Sequence, residues 1–162
     1  MRRAAEKIVT RKVLLDRLAE HRRLGQRIVL ANGIFDMLHV GHVRYLEGAR
    51  REGDVLVVAL NSDNSARILK GPGRPILPEE ARAQLVAAVR AVDYVVLFSS
   101  LDVGELLAEI HPDVHAKGTD YTAETVPERD VAARLGIRVA IVGDPKHHST
   151  RELLARIRSS NG

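Results

Sequence analysis

"RIVLANGIFDMLHVGH" occupies residues 27–42. Its first nine residues, "RIVLANGIF" (27–35), are an apolar run of strand type. The residues that follow, "VGHVRYLEGARREG" (40–53), place Val43, Leu46 and Ala49 on one helical face and end at Gly53, a helix stop. A strand running through a short polar turn into a helix opens a parallel β-α unit. At that turn two histidines, His39 and His42, flank Gly41. The rest of the chain shows whether this unit repeats, and the histidines then ask what they hold.

The unit does repeat. "DVLVVALN" (54–61) is apolar throughout, as in a sheet covered on both faces. Further strands are expected at 93–98, 113–118 and 137–143. Helices are expected at 62–69, capped by Ser62 or Asp63, and from 79 to 92, with Pro78 in the first turn beside Glu79 and Glu80. Three more are expected at 102–110, 127–136 and 149–158. "KGPGRPILP" (70–78) is a loop rich in glycine and proline. An amphipathic helix over about residues 9–24 precedes the first strand, with Val13, Leu14 and Leu18 on its apolar stripe. This alternation predicts an α/β fold, a three-layer, Rossmann-like open parallel sheet with helices on both faces. Ligands of such sheets bind beyond the carboxyl ends of the strands. The segments 33–42, 61–63, 117–121 and 144–150 should meet at that edge.

The 162 residues are 45% hydrophobic and 28% charged, a mix expected of one globular domain spanning residues 1–162. There is no cysteine, so disulfides and thiolate metal sites are excluded, which fits a reducing compartment. No apolar run approaches the ~20 residues that span a bilayer, and the first residues lack the apolar core of a signal peptide. A cytoplasmic protein without a membrane partner is expected. The net charge of +4 comes from basic residues that alternate with acids, and aromatics make up only 3%, too few for base stacking. A nucleic-acid partner is therefore not expected, whereas a mild positive balance suits phosphorylated small molecules.

His39 and His42 could be metal ligands, acid/base catalysts, phosphate binders or residues that merely fit the turn. As metal ligands they have the wrong step, since a helical pair favours a separation of four, and Asp36 would have to supply a third ligand. As structural residues they would simply fit the turn. As phosphate binders they have the right surroundings. Gly41 lets a ligand approach the backbone, the helix N-terminus offers N–H groups and a positive dipole end, and imidazoles donate hydrogen bonds. Neither GxGxxG nor GxxxxGK[ST] occurs in the chain.

"HVGH" fits the HxGH signature. With "NGIFDMLHVGHVRYLEGARREGD", "VVALNSD", "LKG...RP", "AVDYVV", "HPDVHAKGTDY" and "HSTRELLARI" in order, the chain resembles the cytidylyltransferase-like nucleotidyltransferase superfamily. Within it, the blocks from about residue 8 to 158 look like the heptose 1-phosphate adenylyltransferase branch of ADP-heptose synthesis. That branch serves lipopolysaccharide biosynthesis. The resemblance implies an enzyme that joins AMP from ATP to a sugar 1-phosphate and releases pyrophosphate. The acceptor phosphate attacks directly and in line, and the work is positioning and charge stabilisation.

The resemblance also implies roles. His39, His42, Lys70 and Arg82 would be catalytic. Asn32, Gly33, Ile34 and Phe35 would floor the nucleotide site, largely through backbone groups, beside Gly41. Lys117, Gly118, Asp120 and Tyr121 would line its base and ribose side, and Ser149 and Thr150 would meet phosphates. Asp36, Asn61, Asp63 and Arg82 would face the acceptor. Mg²⁺ would arrive with the triphosphate, held chiefly by its oxygens and by few protein ligands, Asp36 first among them. Members of the family often pair, so a homodimer is an expectation. Thr119 stands where relatives have glycine, and Arg151 replaces a second threonine. Bland readings compete at several positions: Arg82 as a surface ion pair with Glu79, Asn61 and Asp63 as turn and cap residues, His147 and His148 as plain loop residues. Two other functions stay open, a cytidylyltransferase for glycerol 3-phosphate or another alcohol phosphate, and a nucleotide-binding regulator without turnover.

Overall fold

The computed structural model describes residues 1–145 and 149–160. Along the chain run α1 (Ala4–Lys7), α2 (Arg11–Arg23), β1 (Ile28–Gly33), α3 (Val40–Arg51), β2 (Val55–Asn61), α4 (Asp63–Lys70), α5 (Glu79–Ala88), β3 (Tyr94–Phe98), α6 (Gly104–Ile110), β4 (Val114–Gly118), α7 (Arg129–Arg134), β5 (Arg138–Val142) and α8 (Thr150–Ser160). The strands form one five-stranded sheet in the order β3-β2-β1-β4-β5, parallel at every pairing. The chain winds from β1 out to β3, then returns to the other side at β4. The reversal therefore lies between β1 and β4, where open sheets part to form a crevice.

Period-two alternation divides the core. Val29, Ala31, Val58, Leu60 and Ala116 face one side, against Leu46 and Ala49 of α3 and Ala83, Val86 and Ala87 of α5. Ile28, Leu30, Val57, Ala59 and Val96 face the other, against Leu14 and Leu18 of α2 and Leu106, Leu107 and Ile110 of α6. The three-layer α/β expectation holds.

Several boundaries differ from those expected. The expected N-terminal helix is α2, and a short helix that was not expected, α1, precedes it: between them Ile8 pairs with Val95, and the Val9 N–H donates to the Val95 carbonyl. The outer edge of β3 offers unpaired backbone groups, and satisfying them outweighs helix continuity. Thr10 then restarts the helix by capping the Val13 N–H. Leu14 and Leu18 are buried, but Val13 is exposed. β1 ends at Gly33, leaving Ile34 and Phe35 in the turn. Pro78 is the N-cap of α5 and not part of its first turn, and α5 stops at Ala88, where Val89 is already extended. Of the two candidate caps for α4, Ser62 serves, its hydroxyl accepting from the Ser65 N–H.

Candidate active site

The turn after β1 is tightly wound. Phe35 and Met37 have φ of 51° and 53°, a left-handed conformation that costs a non-glycine residue about 1 kcal/mol or more and concentrates at functional turns. The Phe35 ring folds back over Gly33, where a Cβ would lie 3.0 Å from it. The same ring packs against His42, 5.2 Å between centroids, and stacks on Tyr45 at 6.2 Å.

The histidines cap α3 reciprocally. His39 is the N-cap, and its Nδ1 accepts the Gly41 N–H at 3.1 Å. His42 Nδ1 accepts the His39 N–H at 3.2 Å, and the rings stack at 3.8 Å. An Nδ1 that accepts from an N–H carries no proton, so each ring keeps its proton on Nε2. The i, i+3 step is thus the geometry of a capping box built from imidazoles. It occupies the inner nitrogens and defines the outer ones as donors.

Asp36 is nearly fully buried. Its Oδ2 accepts from Arg74 Nε at 2.9 Å and the Ile76 N–H at 2.7 Å, and its Oδ1 from the Leu77 N–H at 3.0 Å. Burial alone would raise this carboxyl, but those two N–H groups and Arg74 outweigh it and hold it below the ordinary 3.8. Asp36 therefore pins the glycine- and proline-rich loop to the β1–α3 turn. With both oxygens engaged, it is poorly placed to ligate a metal. Lys70 ends α4 on the cleft, exposed, beside Gly71, whose φ of 91° turns the chain into that loop.

Arg82 does not reach the cleft. It is fully buried, and its guanidinium donates to the carbonyls of Leu77, Ile34 and Asn61 and to Asp63 Oδ1. Neither the catalytic expectation nor the surface pair with Glu79 describes it. It ties the ends of β1 and β2 to the start of α5. Asp63 is taken up by that pair, and Glu79 accepts the Asp63 N–H at 2.6 Å. Asn61 is buried and lines the cleft, with Nδ2 donating to Ser65 Oγ at 3.2 Å.

Across the sheet, Lys117 at the end of β4 is buried. Its Nζ lies 3.8 Å from Glu128 Oε2 and 4.5 Å from the centre of the Tyr121 ring. Burial pushes this ammonium below the usual lysine range, and Glu128 pulls it back. Thr119 Oγ1 donates to the Asp144 carbonyl, a bond that a glycine there would lack. At the last helix, the Ser149 hydroxyl and the Glu152 carboxylate cap each other's backbone N–H, and Thr150 Oγ1 donates to the Asp36 carbonyl at 2.8 Å. Glu152 is thus engaged by the cap, and Arg151 lines the cleft. The expectations for His147 and His148 lie outside the described residues.

These parts enclose a cleft of about 900 Å³. Every site residue expected from the sequence lines it except Arg82 and Asp63. Sequence reasoning missed Arg44, Tyr45, Arg74 and Glu128, which also line it, and the buried His115, whose Nε2 lies 2.9 Å from Asn32 Oδ1. The signal for His115 was available, a polar residue at an inward position of an apolar strand. Among the described residues, no three His, Asp or Glu side chains gather as a metal site, and no helix is long and apolar enough to cross a membrane.

A parallel sheet whose first βα turn carries two imidazoles into a cleft at the strand ends defines a class, the open α/β proteins with a ligand site at the sheet's reversal point. A model of the cytidylyltransferase-like family matches residues 30–159, and the chain belongs to that family of nucleotidyltransferases. Among curated proteins, the chain is 47% identical over 151 residues to the bifunctional protein HldE of Syntrophotalea carbinolica, covering 93% of this chain and 31% of that protein. It is 46% identical over 153 residues to the protein of the same name from Koribacter versatilis, covering 94% and 32%. The chain thus spans about a third of the length of these relatives. Among solved structures, it is similar to the lipopolysaccharide core biosynthesis protein from Thermoplasma volcanium GSS1, with a TM-score of 0.64 and 28% identity over 75% of this chain and all of that one.

Proposed function

We propose that this chain transfers AMP from ATP to a sugar 1-phosphate, with heptose 1-phosphate as the acceptor, and releases pyrophosphate. The reciprocal cap of His39 and His42 carries this reading, because it fixes both imidazoles through their Nδ1 atoms at a helix N-terminus that lines the cleft. An acceptor oxygen attacks the α-phosphorus, the bond from that phosphorus to the bridging oxygen breaks, and pyrophosphate leaves with the electron pair. His39 and His42 stabilise the charge that grows on the phosphate oxygens. Lys70 adds a cation from the rim of the pinned loop. A phosphate acceptor is already ionised near neutral pH, so the cleft needs no general base. Arg82 and Asp63 act from behind, holding the ends of β1 and β2 in register.

Lys117, Tyr121 and the backbone of Gly118 take the nucleoside side, with Asp120, and Ser149 and Thr150 stand at the phosphate side. Asn61 and the walls around it take the acceptor. Magnesium, bound to the triphosphate, would supply charge neutralisation on its oxygens. The protein adds little to its coordination, since the oxygens of Asp36 are engaged by the loop. Two core layers built on one sheet support reading the chain as one domain.

Pyrophosphate release, measured with ATP or CTP against heptose 1-phosphate and glycerol 3-phosphate, tests the proposal. Release with ATP and heptose 1-phosphate is expected. Release only with CTP and glycerol 3-phosphate would replace it with the cytidylyl reading. Nucleotide binding with no release for any acceptor would favour a regulator.

A further inference from the structure

One polar pair spans the gap between β1 and β4, where the sheet reverses. Leu30 stands opposite His115 in the register. Asn32 lies one pleat further toward the cleft, on the same face as Ile28 and Leu30. His115 is fully buried, and its Nε2 meets Asn32 Oδ1 at 2.9 Å. Which atom donates decides what Asn32 shows to the cleft.

The other ring nitrogen answers this. His115 Nδ1 is buried and has no hydrogen-bond partner among the described residues. A proton on Nδ1 would be an orphaned donor, whereas a bare Nδ1 is an orphaned acceptor, the more tolerated of the two. Burial also keeps the ring neutral, pushing its pKa down to about 3, with the charge of Lys117 adding to the shift. The single proton therefore sits on Nε2 and donates to Asn32 Oδ1. An amide that accepts through its oxygen turns its NH₂ group away, and Asn32 lines the cleft.

We propose that His115 is a positioning residue that fixes the Asn32 side chain with its NH₂ group toward the cleft, as a neutral donor to the phosphate oxygens of the bound reactants. The proposal rests on the nucleotidyl-transfer reading and adds a side-chain role to a residue expected to act through its backbone. α3 packs on the opposite face of the sheet, so the amide approaches the reactants from the wall facing the histidines. Anionic oxygens are then met by imidazole N–H from one side and amide N–H from the other. With the other tautomer of His115, the amide would turn over and present its carbonyl oxygen to those anions. A buried neutral imidazole with one proton prevents that inversion.

Two measurements on the full chain test this. Nitrogen NMR of the histidine-labelled protein should show His115 with its proton on Nε2, unchanged from about pH 5.5 to 8, the range in which an ordinary histidine titrates. A proton on Nδ1 would overturn the proposal. In the pyrophosphate assay, Asn32→Asp replaces the NH₂ with an anionic oxygen and should lower kcat by ~10²-fold or more. His115→Leu frees the amide to rotate and should lower kcat by about tenfold to 10²-fold, as small misplacements do. His115→Gln, whose amide nitrogen falls near the place of Nε2, should recover most of that loss. If His115→Leu turns over like the wild type while ATP and acceptor still react, this proposal falls alone. If the wild type releases no pyrophosphate with any triphosphate, the functional reading falls and this proposal with it. Should His115→Leu not fold, the tautomer and the Gln variant decide, and a Gln variant that folds but loses as much as Asn32→Asp would overturn it.

Discussion

Two of the helix N-termini at the rim of the cleft, those of α3 and α8, are held in different ways. α3 buries Leu46 and Ala49 in the core and is capped by two imidazoles whose rings also stack. α8 has no fully buried residue. It is capped by Ser149 and Glu152, and Thr150 hooks it to the Asp36 carbonyl. At α3 the capping groups and the proposed catalytic groups are the same side chains. At α8 the cap is separate, and little apolar area holds the helix to the body. Elements with few buried apolar contacts sit at the low end of local stability. α3 is thus a wall anchored in the core, and α8 a rim held mainly by its cap and the Thr150 bond. The turn that carries Asp36 runs into α3, and its Asp36 carbonyl accepts the Thr150 hydroxyl of α8.

Three substitutions probe this difference. His42→Ala acts on the anchored wall and should have the largest effect, lowering kcat/KM for pyrophosphate release by ~10²–10³-fold. It also removes half of the cap, so the melting temperature should fall by the equivalent of about 1 kcal/mol. Normal turnover would sink the reading of the histidines as phosphate donors. Asp36→Asn should come next, with a stability loss of about 1–3 kcal/mol, because two N–H groups and Arg74 lose a charged acceptor. Its pH dependence has a definite sign. The folded carboxyl titrates below its ordinary 3.8, so its contribution is present above that value and is lost as the pH falls through the lower, folded one. Melting curves of wild type and variant should differ most near neutrality and converge in acid; a constant gap would show that the charge is not what pins the loop. Thr150→Val should be mildest, costing up to ~1 kcal/mol in stability while raising KM more than it lowers kcat. A fall in kcat with KM unchanged would place Thr150 in the chemistry instead.

Much of the site could be read in the chain because it lies on local patterns. The HVGH turn, the lysine ending the fourth strand and the Ser-Thr before the last helix each sit where a strand ends or a helix begins, and the α/β alternation brings those ends together. Arg82 was harder to read. Its sequence surroundings, "EEARAQL", match an exposed helix, and only packing shows that three carbonyls and Asp63 converge on it. Asp36 was readable as an important acid, but its donors come from residues 74–77, about forty positions away. The break between α1 and α2 was hidden because it answers an edge of β3 formed by residues far along the chain.

By itself, then, the sequence determined the layers, the parallel sheet and the turn on which two histidines stand, because periodicity and capping are local. Only the tertiary structure decided which partners those side chains take. The inner nitrogens of His39 and His42 are occupied by backbone N–H groups, the oxygens of Asp36 by a loop, and the guanidinium of Arg82 by three carbonyls and Asp63. Hydrogen-bonding capacity is finite, and how it is divided depends on neighbours that the chain brings together only when it folds.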